Sequence, residues 1–327
     1  RRSLMSRKYL VTGGAGFIGS NFIRNILEVE PGASVVNLDA LTYAGVPATV
    51  AELDADQRHS FVHGDIRDQT LVDRLVDGID VVVHFAAESH VDRSISGPTA
   101  FLETNVVGTG VLLDAARRHG VARFIHVSTD EVYGSLAEGF AAEDRFLDPS
   151  SPYSASKAGS DLLVRSYAVT FGYQAIVTRC TNNFGPYQFP EKVIPLFVTN
   201  LLDGRRVPLY GDGRNERDWI HVTDHCRAIA LLVDEGEPGE IYNIGADNQL
   251  TNLTLTHRIL EALGKDESMI ERVADRPGHD LRYALDSSKI RRLGWKPEHD
   301  FDEHLAATIE WYRNHRDWWE PLRGGAR

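Results

Sequence analysis

Residues 126 to 134 read HVSTDEVYG: an apolar run that ends in one hydroxyl and two adjacent carboxyls, Thr129, Asp130 and Glu131. Two neighbouring carboxyls can be a solvated turn. They can also be an acid and a base acting on one bond, as elimination of water requires. In that second case their surroundings must push the two pKa values apart. Some twenty residues further on, Tyr153 and Lys157 stand four apart on a helical pattern and therefore share a face. A tyrosine, with an ordinary pKa near ~10, is a poor base at neutral pH. An ammonium nearby favours the phenolate and lowers that pKa. The pair suits removal of an alcohol proton while a hydride departs.

A hydride needs an acceptor, and the chain start offers a site for one. Gly13-Gly14-Ala15-Gly16-Phe17-Ile18-Gly19 follows an apolar run and opens a helical one. Glycines at this spacing let the backbone turn tightly and approach a pyrophosphate, which then sits on the free N–H groups of the helix start. Asp39 ends the second apolar run, 20 residues past Gly19. A carboxylate there accepts from a ribose diol and repels a 2′-phosphate, so NAD is expected over NADP. The alternative is a structural turn with a capping Asp. Asp65 and Ile66 end the third run, where a side chain reaches an adenine or Asp65 caps the next helix. Phe85, Ala86 and Ala87 leave the fourth run. They let a cofactor lie close, or they are core packing.

These residues need elements to hold them. Apolar runs at 8–13, 34–39, 61–65, 80–87, 123–129 and 174–180 are continuous rather than alternating, as expected of strands buried on both faces. Helical patterns lie between them at 21–30, 105–120 and 157–172, with Gly120 and Gly172 placed as C-cap glycines. Alternating strand and helix predicts an α/β fold: a Rossmann-type doubly wound parallel sheet with helices on both faces. After Cys180 the rhythm changes. TNNFGPYQFPEK reads as a long irregular loop, and helix, strand and loop segments follow. The expected division is 7–180, joined again by 220–245, as the NAD-binding domain. Segments 181–219 and 246–322 then form a smaller, mixed α/β C-terminal substrate domain.

Taken together, GGAGFIG, FAAESHVDRS, STDEVYG, YSASKAGSD, RCTNNFGPYQFPEKVIPLF, LYGDGRNERDWIHVTDH and DRPGHDLRYALD resemble the extended short-chain dehydrogenase/reductases. More narrowly they resemble the dTDP-glucose 4,6-dehydratase family, from about Lys8 to the end of the chain. STDEVYG discriminates most, because related sugar-nucleotide epimerases lack the Asp-Glu pair in that slot. The resemblance implies that Tyr153, helped by Lys157 and Thr129, takes the proton of a sugar 4-hydroxyl as hydride passes to NAD. Glu131 would then remove the C5 proton and Asp130 would protonate the departing 6-hydroxyl. Hydride would return to C6, giving a 4-keto-6-deoxy sugar nucleotide and leaving NAD oxidised. It also assigns Gly13, Gly16, Phe17, Ile18, Gly19, Asp39, Thr42, Asp65, Ile66, Phe85, Ala86, Ala87, Ser89, Thr104, Ser128, Tyr153, Lys157 and Asn183 to the cofactor. To the substrate it assigns Ser89, Thr129, Asn182, Lys192, Val193, Pro208, Leu209, Tyr210, Arg217, Asn252, Arg276 and His279. Lys192, Arg217 and Arg276 are cations offered locally to a diphosphate, or each is a surface charge. Tyr210 stacks on a base or packs in a core. Phe85, Val193, Phe184 and Val46 depart from the family's usual residues, and none removes a group that carries chemistry. The family is typically a homodimer joined by helices, here those from Asn105 and around Tyr153.

Composition bounds the alternatives. The 327 residues carry a net charge of −12, which disfavours nucleic acid and anionic membrane as partners. No apolar stretch approaches the ~20 residues of a membrane-spanning helix. The first ten residues lack the apolar core of a secretory signal, and Met5 reads as a candidate start. Cys180 and Cys226 are too few for a disulfide framework and fit no metal motif, so a cytoplasmic protein without a metal is expected. A UDP-sugar 4-epimerase, a dehydratase of another nucleotide sugar, and a non-catalytic NAD-binding protein share the fold. The last predicts loss of Tyr153, Lys157 or the carboxyl pair, and all are present. The first is disfavoured by Asp130 and Glu131.

Overall fold

The structure is a computed structural model that describes residues 6–324. Met5 lies outside the described residues. The strands are β1 (Lys8–Thr12), β2 (Ser34–Asp39), β3 (His59–His63), β4 (Val81–His84), β5 (Arg123–Thr129), β6 (Ala175–Cys180), β7 (Asn182–Phe184), β8 (Val207–Tyr210), β9 (Glu216–His221), β10 (Ile241–Ile244), β11 (Gln249–Thr251) and β12 (Ile270–Val273). Seven of them form one sheet in the order β10-β6-β5-β4-β1-β2-β3, and every pairing in it is parallel. This is the doubly wound sheet expected from the sequence. The strand order reverses between β1 and β4, and ligands bind such sheets in the crevice at that switch point.

The apolar runs explain the core. Tyr9, Val11, Val83, Ile125 and Ile176 pack on one side of the sheet, and Leu10, Val82, Phe124, Ala175 and Val177 on the other. β2 and β5 span the ranges read from the sequence. β3 starts two residues earlier, because His59 and Ser60 already pair with Val35 and Val36 while lacking the apolar pattern. The first helix, Phe17–Val29, begins four residues before the pattern, directly off Gly16. The Tyr153 helix runs Pro152–Phe171 rather than from Lys157. Its start is set by a capping box: Ser151 Oγ accepts from Ser154 N at 3.1 Å, Ser154 Oγ accepts from Ser151 N at 3.1 Å, and Pro152 sits at the first helical position. Gly172 ends it in the left-handed conformation at φ +62°. The 105–120 segment is a π-helical stretch, Leu102–Gly108, followed by an α-helix, Thr109–Arg118.

β10 belongs to the large sheet although some sixty residues separate it from β6. The irregular loop after Cys180 contains β7, which pairs in parallel with β9. Its three residues, two of them Asn, carry no strand signal of their own. β11 completes that small sheet, and β12 pairs with β8. A third core of Phe184, Phe197, Trp219, Leu255, Ile309, Tyr312 and Trp319 holds these pieces together. Among the described residues no helix is long and apolar enough to cross a membrane.

Candidate active site

The carboxyl ends of β1, β2, β4, β5 and β6 open into one cleft of about 420 Å³. Tyr153 and Lys157 enter it from the first two turns of the Pro152–Phe171 helix. Lys157 is 4% exposed, and its Nζ donates to Val127 O of β5 at 2.8 Å. Burial lowers its pKa to about 8, against the opposing pull of Asp161 one turn further on. The Tyr153 phenol moves the other way from the sequence expectation. Burial raises its pKa well above the ordinary value, and Glu131, Cys180 and Asp130 add to the shift. Desolvation and the nearby carboxyls dominate the Tyr153 site, and burial also weakens the charge on Lys157.

The acidic stretch is not a solvated turn. β5 ends at Thr129, and Asp130–Tyr133 form a single 3-10 turn. Thr129 Oγ1 accepts from Glu131 N at 3.2 Å and donates to Asp130 Oδ1 at 3.2 Å. Asp130 is 3% exposed, and its Oδ2 is buried with no hydrogen-bond partner. Its pKa is raised well above the carboxylate range, first by burial and then by Glu131. Glu131 is raised less: burial lifts it, while Arg217, Arg276 and Lys192 pull it down. One carboxyl is thus shifted toward its protonated form, and its neighbour faces three cations.

At the other end of the cleft the glycine loop is a cradle without side chains. Gly13 sits at φ +74°, and a Cβ there would lie 2.7 Å from Ala86 N. Gly16 precedes the first helix in extended conformation, and no side chain caps that helix. Asp39 Oδ2 accepts from Ala15 N at 2.9 Å and Oδ1 from Leu41 N at 2.8 Å, so the carboxylate is fixed at the end of β2 with lone pairs to spare. Ser128 Oγ and Thr181 Oγ1, both lining the cleft, are buried without partners. Open glycine backbone, an uncapped helix start, a fixed carboxylate and orphaned hydroxyls are a donor set that fits a dinucleotide.

The GDP-mannose 4,6 dehydratase family matches residues 10–308. The chain is 57% identical to the dTDP-glucose 4,6-dehydratase of Streptomyces antibioticus, over 96% of this chain and 95% of that one. The chain belongs to the dTDP-glucose 4,6-dehydratase family. Its structure superposes with a TM-score of 0.95 on DesIV, the dTDP-glucose 4,6-dehydratase of Streptomyces venezuelae with NAD bound, at 58% identity over 96% of this chain and 99% of that one. The dTDP-glucose 4,6-dehydratase of Bacillus anthracis in complex with NAD gives a TM-score of 0.91 at 45% identity, over 97% and 99% of the two chains.

All residues that the family resemblance assigns to the cofactor line the one cleft, from Gly13 through Thr42, Asp65, Phe85, Ser89 and Thr104 to Asn183. Asp65 is not a helix cap: Asp68 accepts from Leu71 N at 3.0 Å and caps that helix. Asp65 instead accepts from Arg67 N at 2.8 Å and pairs with the Arg67 guanidinium. Asn183 faces the cleft, but its amide is occupied: Nδ2 donates to Thr181 O at 3.0 Å, and Oδ1 meets His225 Nδ1 at 2.9 Å.

The substrate-side residues divide. Ser89, Thr129, Asn182 and Lys192 line the cleft. Val193, Pro208, Leu209, Tyr210, Arg217, Asn252, Arg276 and His279 lie outside its walls, on the Val193–Leu202 helix start, β8, β9, the Asn252–Ala262 helix start and the 275–280 loop. Arg217 is buried, stacks over Tyr283 at 4.2 Å, and donates to Asp280 O at 2.9 Å. Tyr210 is 38% exposed and stands edge-on to His279 at 6.2 Å, so it is not core; Leu209 is. Of the departures, Phe184 packs edge-on against Phe301 at 5.1 Å, and Phe85 tilts onto Phe22 at 5.4 Å.

Cys180, Thr181, Gln188 and Phe189 also line the cleft and were not singled out in the sequence. For Cys180 the available signal was its place at the carboxyl end of β6. For Gln188 and Phe189 only the loop's length pointed to a role.

Proposed function

We propose that this protein converts dTDP-glucose to dTDP-4-keto-6-deoxyglucose and water, as a hydro-lyase of deoxysugar biosynthesis with NAD as a resident cofactor. The observation that carries this is the buried Asp130 beside the half-buried Glu131, in the same cleft as Tyr153 and Lys157. A redox cycle alone has no use for two more carboxyls.

Each residue has a role that its surroundings support. Bound NAD supplies a hydride acceptor for C4 and a hydride donor for C6. Gly13, Gly16 and the first helix start hold its pyrophosphate, and Asp39 takes the adenosine ribose. Tyr153 removes the 4-hydroxyl proton. Lys157, one turn further along the helix, supplies the positive charge that favours the phenolate. Thr129 aligns the pair of carboxyls through its two hydrogen bonds. Glu131 takes the C5 proton, which the 4-ketone acidifies, while Asp130, kept protonated by burial, gives its proton to the 6-hydroxyl as water leaves. Glu131 then returns its proton to C5, and the proton gained by Tyr153 balances the one lost by Asp130. Lys192, Arg217 and Arg276 receive the diphosphate, with Ser89 and Asn182 on the sugar. Pro208, Tyr210, Asn252 and His279 border the base, beside Val193.

The test is incubation with dTDP-glucose and, separately, UDP-glucose without added NAD, read by the alkali-induced absorbance of a 4-keto sugar. Ketone from dTDP-glucose is expected. Ketone from neither overturns the reading; preference for UDP-glucose overturns only the substrate.

We further assign residues 7–180 and 220–245 to the NAD-binding domain, and 181–219 with 246–322 to the substrate domain. We infer a homodimer joined through the 102–118 and 152–171 helices. Leu102, Val107, Leu162 and Val169 are exposed on these two neighbouring helices, an apolar face that a second copy would cover. Two buried thiols, both free, support a cytoplasmic setting.

A further inference from the structure

Behind the cleft lies a polar network that the proposed chemistry does not use. Arg179 of β6 is 2% exposed. Its Nε donates to Asp161 Oδ2 at 2.9 Å, and its Nη1 donates to Tyr133 Oη at 2.8 Å. The guanidinium also lies over the Tyr133 ring at 4.7 Å. Tyr133 Oη donates in turn to Asn243 Oδ1 of β10 at 2.8 Å, and Asn243 Nδ2 donates to Ala141 O at 2.8 Å. Asp161, Tyr133 and Asn243 are each no more than 1% exposed.

The two arms of Arg179 reach different halves of the site. Asp161 is one turn beyond Lys157 on the same helix face, so the Nε arm holds the helix that carries Tyr153 and Lys157. Tyr133 closes the 3-10 turn that begins with Asp130 and Glu131, so the Nη1 arm holds the two carboxyls. The two halves also meet without Arg179: Lys157 Nζ donates to Val127 O, and Ala158 of the helix packs with Val132 and Tyr133 of the turn. Arg179 adds the one guanidinium that hydrogen-bonds both the helix and the turn. A planar fork with fixed donor directions suits this double contact. A lysine ammonium has three donors but no rigid fork to fix both directions at once.

We propose that Arg179 is a positioning residue that sets the carboxyl pair at a fixed distance from the Tyr153–Lys157 pair, so that a sugar oxidised at C4 presents C5 and C6 to Glu131 and Asp130 without shifting in the cleft. This rests on the dehydratase reading. Tyr133 transmits the constraint, and Asp161 anchors it. Displacement of a reacting group by about 1 Å through a distant substitution can cost about 100-fold in rate. The cost here falls on elimination, because the Nη1 arm acts through Tyr133 on the turn that carries Asp130 and Glu131.

The test is single turnover of dTDP-glucose by the holoenzyme, with Tyr133→Phe and Arg179→Lys against the unaltered protein. The reduced nicotinamide is followed by absorbance, and solvent deuterium appearing at C5 by mass spectrometry. Tyr133→Phe removes only the bridging hydroxyl and keeps the ring under Arg179, so folding is preserved even if Arg179→Lys does not fold. The expected result is a normal rise of reduced nicotinamide followed by a decay slowed about 10-fold or more, with C5 exchange slowed to match. Affinity for dTDP, measured by calorimetry, stays unchanged. Equal slowing of rise and decay, or no slowing of either, overturns the positioning role. Absence of any reduced nicotinamide and any ketone in the unaltered protein overturns the dehydratase reading instead.

Discussion

Asp130 and Glu131 are adjacent in sequence yet unequal in surroundings, and two predictions follow from that inequality. Glu131 must be ionised to act as a base, and burial raises its pKa. The acid limb of kcat/KM is therefore expected above the ordinary glutamate value of ~4.3, with activity lost as pH falls through the raised pKa. Glu131→Gln should remove that limb along with about 100-fold or more of the dehydration rate, while bound NAD is still reduced. Normal turnover by this variant would show that another group takes the C5 proton. Asp130 carries a stability consequence of the opposite kind. Its folded pKa lies above the unfolded one, so its contribution is unfavourable at neutral pH and vanishes as pH drops to the ordinary aspartate value. Asp130→Asn should then raise stability in denaturant at pH 7 and change it little near pH 4, while eliminating activity.

At the scale of elements, the glycine loop decides whether the cofactor can enter. Gly13→Ala would place a methyl against the Ala86 backbone and impose φ +74° on a residue with a side chain. Strain of about 1–3 kcal/mol is expected, seen as a lowered Tm, together with weakened binding of NAD measured by calorimetry. Retention of NAD by a stable Gly13→Ala protein would mean that the loop yields more than its contacts with β4 allow. The capping box at Ser151 belongs to the same scale. It starts the helix at Pro152, and this is what brings Tyr153 inside the first turn, with Lys157 one turn deeper at Val127 O.

For the whole molecule, two adjoining helices, 102–118 and 152–171, together expose Leu102, Val107, Leu162, Val169 and Phe171. Leu162 and Val169 are seven apart on one face of the Tyr153 helix, 55% and 83% exposed. Leu162→Glu combined with Val169→Glu should convert a dimer to a monomer in sedimentation or light scattering. A protein that is monomeric without any substitution would sink the dimer assignment at once. The same helix carries the active-site tyrosine on its opposite side, so dimer loss is also expected to lower activity.

What the sequence determined by itself was the alternation of buried strands and helices, the glycine loop with Asp39, and the residue types of the site. Those signals are local: continuous apolar runs, spacing of four on a helix, and glycines where backbone must come close. β7 was not legible, because its three residues owe their pairing to β9 rather than to a pattern of their own. Only the tertiary structure decided that Asp130 is buried with an unpartnered oxygen, that three cations face Glu131, and that burial raises Tyr153 despite Lys157. These depend on desolvation and on charges brought in from distant segments, which spacing along a chain does not encode. The same holds for Arg179, which in sequence is one charge at the end of an apolar run and in the fold joins the two halves of the site.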